Sequence, residues 1–241
     1  MSLTLTMLIY ASFIAILLVV IFLPRRGLLA LWRASRLDVQ RHRIEDALKY
    51  IFNRQQEDDP ASVDALAGAL NLNKHKAMTL ASDLREQGLV QPNLRNLVLT
   101  PEGQRWALQV VRAHRLWERY LVDEARVPIE QVHNIAQKRE HGMTTSQIDA
   151  LDASLGHPAL DPHGDPIPSP EGKLRKTGGH QPADLPLTQL EVGQSGQIFH
   201  MEDEPPVAYA QLVAAGLALG QVVTVLERTP QKISLAAGVN E

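Results

Sequence analysis

Two stretches of this 241-residue chain place imidazole and carboxylate groups one helical turn apart, and that spacing restricts the fold more than any other feature. In His133-Asn134-Ile135-Ala136-Gln137-Lys138-Arg139-Glu140-His141, four metal-capable side chains (His133, Gln137, Glu140, His141) stand at i, i+4, i+7 and i+8. On an α-helix those offsets share one face. Upstream, His114 and Glu118 repeat the i, i+4 spacing on another expected helix. One such pair is ordinarily an exposed side-chain interaction. Two such helices in one chain point instead to donors converging on a cation. The chain has no cysteine, so the available donors are imidazole, carboxylate, amide and water. That set suits manganese, ferrous iron or zinc better than copper(I) or an iron–sulfur cluster.

The N-terminus makes a second demand. No charged side chain occurs from Ser2 to Pro24, and Leu3 to Leu23 is strongly apolar. About 20 apolar residues suffice to cross a bilayer as a helix. Arg25, Arg26, Arg33, Arg36, Arg41 and Arg43 follow, offset only by Asp38. This charge order predicts an uncleaved single-pass anchor, with its N-terminus outside and the bulk of the chain cytoplasmic. The competing reading, a cleaved signal peptide, lacks a basic n-region and has too long an apolar run. Residues 25–43 also carry Leu28, Leu29, Leu31 and Trp32. They read equally as an interfacial helix on anionic lipid or as a solvated basic linker.

Beyond the anchor, apolar residues at Ile44, Ala47, Leu48, Ile51 and Phe52 keep a helical period. Gln55 to Pro60 breaks it. Ser62 is the expected N-cap of a helix over Val63 to Leu70, and a second helix is expected from Lys74 to Gln87, with Gly88 just past its end. Leu89-Val90 and Leu97-Val98-Leu99 read as short strands. Helix, turn, helix and hairpin is the order of a winged helix-turn-helix. Thr100 and Pro101 open a long helix to about Val122, with Trp106, Val110, Ala113, Trp117 and Leu121 as its expected buried stripe. Pro128 starts the helix bearing His133, and Thr144 or Thr145 caps another reaching Leu155. Gly156 to Pro186, rich in Pro, Gly, His and Asp, reads as an ordered tether. Leu187 to Leu235 has the short alternating runs and glycines of a small β-barrel, with a helix expected at Ala210 to Leu217.

Four linked motifs resemble the diphtheria-toxin-repressor and manganese-repressor group of metal-dependent transcriptional regulators. Leu99-Thr100-Pro101-Glu102-Gly103 is similar to that family's wing-to-helix junction, and Ala113-His114-Arg115-Leu116-Trp117-Glu118-Arg119-Tyr120-Leu121 to its H-R-L-x-E-x-x-L segment. Val132-His133 with Glu140-His141 resembles its V-H…E-H segment, and His163-Gly164-Asp165-Pro166-Ile167-Pro168 its tether. The resemblance covers residues 39 to 240. It implies a mainly α fold with small β parts: a winged helix-turn-helix (39–103), a metal-binding and dimerisation domain (104–160), a tether (161–184) and an SH3-like, FeoA-type domain (185–241), behind an anchor segment (1–38). It further implies an ancillary metal site of His114, Glu118 and His133, and a primary site of Asp46, Gln137, Glu140 and His141. Lys49 stands where manganese-type members have a glutamate, and Gln137 where others have cysteine or glutamate, so the primary site is less anionic than theirs. Oxygen ligands from the SH3-like domain fall here on Pro205 and Ala208, leaving Glu202, Asp203 or Glu204 as substitutes. Glu45 is expected to be solvated, and His157, His163, His180 and His200 to be loop residues outside the sites.

Residues at the start of a second helix-turn-helix helix face the major groove, here Asn73, Lys74, His75, Lys76 and Thr79; Lys and Asn donate to both phosphates and base edges. Yet residues 61–103 balance Lys74, Lys76, Arg85 and Arg95 against Asp64, Asp83, Glu86 and Glu102, without the basic surplus that phosphate contacts favour. The alternative is a winged helix kept as a docking scaffold. Two functions therefore stand. One is a membrane-anchored, homodimeric, manganese- or iron-type regulator binding operator DNA. The other is a metal-sensing module of a manganese, zinc or iron ABC transporter, suggested by the likeness of Phe22-Leu23-Pro24-Arg25-Arg26-Gly27-Leu28-Leu29 to the end of a permease's last membrane helix. An enzyme is rejected: there are no nucleotide-binding glycine motifs and no spaced nucleophile–base pair.

Overall fold

The computed structural model describes residues 3–23, 27–93, 96–173, 185–203 and 205–237. Of the residues singled out above, Pro24, Arg25, Arg26, Arg95, His180 and Glu204 lie outside the described residues. The chain divides into two compact units, Met1–Val98 and Leu99–Glu241.

The N-terminal unit begins with α1 (Leu3–Phe22) and α2 (Leu28–Gln56). The expected membrane span is not upheld. A crossing needs about 20 consecutive apolar residues on one helix. Among the described residues no helix is long and apolar enough to cross a membrane. The single-pass localisation, N-terminus out, is withdrawn with it. From Leu28 onward the basic stretch and the Ile44–Phe52 helix are one continuous element, α2, which carries Trp32 stacked under the Arg36 guanidinium at 3.9 Å. Glu45 is buried, not solvated, and accepts a 2.8 Å hydrogen bond from Arg41 Nε. A carboxylate one turn from an arginine can be buried because the charge is matched locally.

Next come α3 (Val63–Ala69), α4 (Lys74–Glu86) and the two-stranded sheet of β1 (Val90–Asn93) and β2 (Asn96–Leu99). Ser62 and Asn73 cap α3 and α4, accepting from the backbone N–H groups of Ala65 and Lys76. Each satisfies a donor that the first turn leaves unpaired. Ala77, Leu80 and Leu84 are the buried face of α4. Leu97 N–H donates to the Ala61 carbonyl at 2.8 Å, fixing the hairpin to the start of α3.

The C-terminal unit is organised around α5 (Pro101–Asp123), with Thr100 as N-cap and proline at its start. Burial on α5 is wider than the expected stripe. It takes in Leu108, Val111, Arg112, His114, Leu116 and Glu118, while Trp106 and Trp117 are only half-buried. Leu121 packs on Val132 and Ala136 of α6 (Ile129–Arg139). Ala113 and Leu116 pack on Ile148 of α7 (Thr145–Ser154) and on Ile167 of the tether. Arg112 crosses from α5 to α7, meeting Asp149 at 2.5 Å and Asp152 at 2.8 Å. The tether is thus ordered over 156–173 by a buried isoleucine and by its own turn, closed by an antiparallel bridge between Leu160 and Pro166.

Last come β3 (Ser195–Gln197), α8 (Pro206–Ala214), β4 (Val222–Thr229) and β5 (Lys232–Ala237). The strands form one antiparallel sheet, β3-β4-β5. Its β3 and β5 edges do not meet, so the expected barrel is not closed among the described residues. The helix expected at Ala210–Leu217 starts earlier, because Pro206, following the extended Pro205, supplies the fixed φ of a first turn.

Candidate metal centre

The donors of α5 point inward because three successive turns of that helix are buried. His114 and Glu118 are 5% and 1% exposed, which removes the ordinary solvated reading of their pairing. His114 Nε2 lies 3.0 Å from Glu118 Oε1. From α6, His133 brings Nδ1 to 3.4 Å from the same oxygen. A fourth donor arrives from the loop before α8: Asp203 Oδ2 is 2.6 Å from His133 Nδ1. His114, Glu118, His133 and Asp203 each offer one ligand atom, all within 4.8 Å of one another.

A second group shares Glu118. Asp161 and His163 of the tether join it to place another three ligand atoms within 4.8 Å of one another. All three residues are buried. His163 Nδ1 stands 3.7 Å from Glu118 Oε2 and 3.8 Å from Asp203 Oδ2, and its ring packs edge-on against Tyr209 of α8 at 5.0 Å. His163 is therefore a core residue, correcting its expected place in a loop outside the site. The signal for it was present in Asp161-Pro162-His163-Gly164: two donors flanking a proline, immediately before the tether motif.

Buried charge sets the electrostatics. Burial pushes the Glu118 carboxyl up, but the imidazoles of His114, His133 and His163 outweigh it and hold it well below the usual carboxylate range. Asp203 is lowered too, burial being overcome by His133. Asp161 goes the other way, to about 7, through burial and the nearby charges of Glu118 and Asp165, against Arg115. For His163 burial acts downward, yet Glu118, Asp203 and Asp161 raise it. Tyr209, buried beside these acids, is pushed up to about 12, first by burial and then by Asp203, Glu118 and Asp161. The cluster thus demands positive charge, and protons on imidazole and on Asp161 meet that demand. A divalent cation would meet it in their place. Two atoms fit this reading: His163 Nε2 is buried and makes no hydrogen bond, and Glu118 Oε1, although close to two imidazoles, makes none of good geometry. Such orphans are rare in folded proteins and call for an explanation.

The remaining expected ligands are placed as follows. Helix α6 ends at Arg139, so Glu140 is its C-cap and His141 begins the next turn; the single helical face running to His141 is not formed. Glu140 is buried, bonded to His114 Nδ1, and 3.9 Å from His141 Nε2. Gln137 is exposed. Asp46 belongs to the N-terminal unit, half-buried on α2 beside Glu45. In that unit Asn73, Lys74, His75, Lys76 and Thr79 form the exposed start of α4.

Comparison with known proteins bears on both units. The family described as "Iron dependent repressor, metal binding and dimerisation domain" matches residues 100–169. The diphtheria toxin repressor of Corynebacterium diphtheriae is 30% identical over 164 residues, 63% of this chain and 70% of that protein. A probable metal transport system membrane protein of Chlamydia trachomatis is 38% identical over 96 residues, 40% of this chain, but the match spans only 21% of that protein. Among solved structures, a manganese-dependent transcriptional repressor in complex with manganese superimposes with a TM-score of 0.73 at 32% identity, over 82% of this chain and 90% of that one.

Proposed function

The chain belongs to the metal-dependent repressor family that includes the diphtheria toxin repressor, and from that premise we propose that it is a homodimeric regulator whose DNA binding depends on a divalent cation. The observation that carries this reading is the buried convergence of His114, Glu118, His133 and Asp203, with Asp161 and His163 adjoining. Nitrogen and oxygen donors without sulfur favour manganese or ferrous iron, with zinc admissible. These residues would hold the cation, whose charge would offset the buried carboxylates, and α5, α6, the tether and the Asp203 loop would be joined through it. Glu140, His141 and Gln137 are the proposed second position. The exposed amide of Gln137, standing where other members have cysteine or glutamate, leaves it less anionic than theirs. As a member of a repressor family the chain is not an enzyme.

The proposed division of labour follows the elements. Residues 39–103 read DNA, with Asn73, Lys74, His75, Lys76 and Thr79 presented by the exposed start of α4. Residues 104–160 hold metal and dimerise, 161–184 are the tether, and 185–241 supply Asp203. The transporter-module alternative is not favoured, because the match to the Chlamydia protein spans a fifth of it whereas the repressor matches span 70% and 90% of theirs. The test is a gel-shift titration of promoter fragments by the full chain, with and without manganese. Metal-dependent retardation that His133→Ala removes supports the reading. Binding of manganese without any retardation at low salt would defeat the DNA half of it, and no manganese binding at all the other half.

A further inference from the structure

Asp203 differs from His114, Glu118 and His133 in having no helix beneath it. Residues 198–203 form neither helix nor strand, so something else must hold its carboxylate 2.6 Å from His133. The contacts of that loop identify the holder. Met201 N–H donates to the His163 carbonyl at 3.0 Å. One residue on, Gly164 takes φ +96° and lies so close to the loop that a Cβ there would collide with the Phe199 carbonyl oxygen and stand 3.1 Å from His200 Cα. Most glycines of this unit with positive φ, among them Gly142, Gly156, Gly193, Gly216 and Gly220, have open space where a Cβ would go. At Gly164, then, conformation and close approach both exclude a side chain.

A charged chain supports the same contact from the tether side. Asp161 Oδ1 accepts from the N–H groups of His163 and Asp165, both at 2.9 Å, closing the turn. Arg115 of α5 donates to the Pro166 carbonyl at 2.7 Å and pairs with Asp165 at 3.2 Å. Asp165 in turn faces His200 at 3.6 Å. The links run from α5 through the tether turn to the loop that carries Asp203.

We infer that Gly164 is a positioning residue for the metal centre: its bare backbone seats the Phe199–Met201 stretch of the loop on the tether, and the Arg115–Asp165–His200 chain clamps it, so that Asp203 reaches His133. The inference rests on the reading of this cluster as a cation site. Its consequence is reciprocal coupling: a cation drawn to Asp203 tightens the loop on the tether, and loosening the loop weakens the cation.

The test uses the full chain, with cobalt(II) as a spectroscopic probe and the metal-free protein as a control. Gly164→Ala is expected to weaken cobalt binding by up to about 10-fold, no more than Asp203→Ala does, the scale seen when groups supporting a ligand are lost. It should also change the visible spectrum as Asp203→Ala does. The double variant should bind no more weakly than Asp203→Ala alone, since both changes remove one ligand. Without metal, the ring nitrogen shifts of His133 report the Asp203 contact directly, and Gly164→Ala should move them toward their values in Asp203→Ala. His200→Ala, which removes only the outer link, should move both readouts the same way by less. It carries the test should Gly164→Ala lose its circular dichroism. Wild-type ring shifts in Gly164→Ala, or in His200→Ala where only that variant folds, overturn the inference, as do additive losses in the double variant. Absence of any cobalt site that His133→Ala removes would instead overturn the cation reading, leaving the metal-free shifts to decide the role of Gly164.

Discussion

The proposed metal centre is built half from helices and half from loops, and the halves obey different rules. His114, Glu118 and His133 project from α5 and α6, whose rise and twist fix where each side chain points. Asp161, His163 and Asp203 come from segments without a repeating hydrogen-bond pattern, held instead by one glycine contact, one turn and an arginine. The helical half is rigid by construction. The loop half is rigid only while its supports hold. It follows that a perturbation can strip the loop donors while sparing the helical ones, but not the reverse.

The largest expected effect attacks the support of the loop half. Ile167 is fully buried against Ala113, Leu116 and Ile148. Ile167→Ala should cost about 2–5 kcal/mol in chemical denaturation, the range for truncating a buried aliphatic side chain. If the two halves are distinct, the variant that remains folded keeps the His114–Glu118 pairing yet loses metal affinity. Unchanged affinity in the folded fraction would merge the halves into one. Glu118→Ala strikes the shared carboxylate, which faces three imidazoles. Its loss should exceed the roughly 100-fold upper end for a merely supporting group, measured by calorimetric manganese titration. A loss below 10-fold would displace Glu118 from the centre.

The same division explains what was legible in the sequence. The i, i+4 pair on α5 and His133 on α6 were readable because a helix converts spacing into direction. The caps at Ser62, Asn73, Thr100 and Thr144 were readable because each is a local hydrogen bond. His163 was not, since its burial depends on Tyr209 and Glu118, distant in sequence and meeting it only through the tertiary fold. The extent of α6 was over-read: Gly142 at φ +74° ends the turn, so Glu140 and His141 leave the helix instead of extending its face. Burial of Glu45 was missed because solvation was assumed for a charge whose partner, Arg41, sits one turn away. The apolar N-terminus was over-read too: a run of apolar composition was taken for a span, and among the described residues no helix is long and apolar enough to cross a membrane. The barrel was inferred from glycines and alternation, which specify strands but not closure.

Asp203→Ala against His163→Ala sharpens the comparison within the loop half, at a smaller scale. Asp203 contacts His133 directly at 2.6 Å, whereas His163 stands 3.7 Å from Glu118. Loss of Asp203 should therefore weaken metal binding more, by about 10-fold if it ranks with strong supporting contacts. The loss on removing His163 should be only severalfold. Equal losses would make His163 a full partner in the first position, and the reverse order would shift the centre toward Asp161.

The smallest effect is one of pH, and its sign separates protons from metal. His163 and His200 have raised values in the folded chain, so the stability they lend is complete below their unfolded value near 6.5 and is lost as pH climbs through the raised one. Asp161 acts in the same sense: folded it keeps its proton to about 7, while the unfolded chain gives it up near the ordinary 3.8, so stability falls as pH rises between those values. Glu118, Asp165 and Asp203 are lowered, and their contribution is lost only in acid, below the ordinary carboxylate range. Metal-free protein should therefore melt a few degrees higher at about pH 6 than at about pH 8, a change on the order of 1–2 kcal/mol for a chain of this size. With manganese the order should invert, because the cation competes with these same protons and binds better as they leave. A metal-free melting temperature that stays level or rises from pH 6 to 8 would mean that the buried groups do not carry the protons assigned to them. A failure to invert with manganese would mean that the cation binds elsewhere.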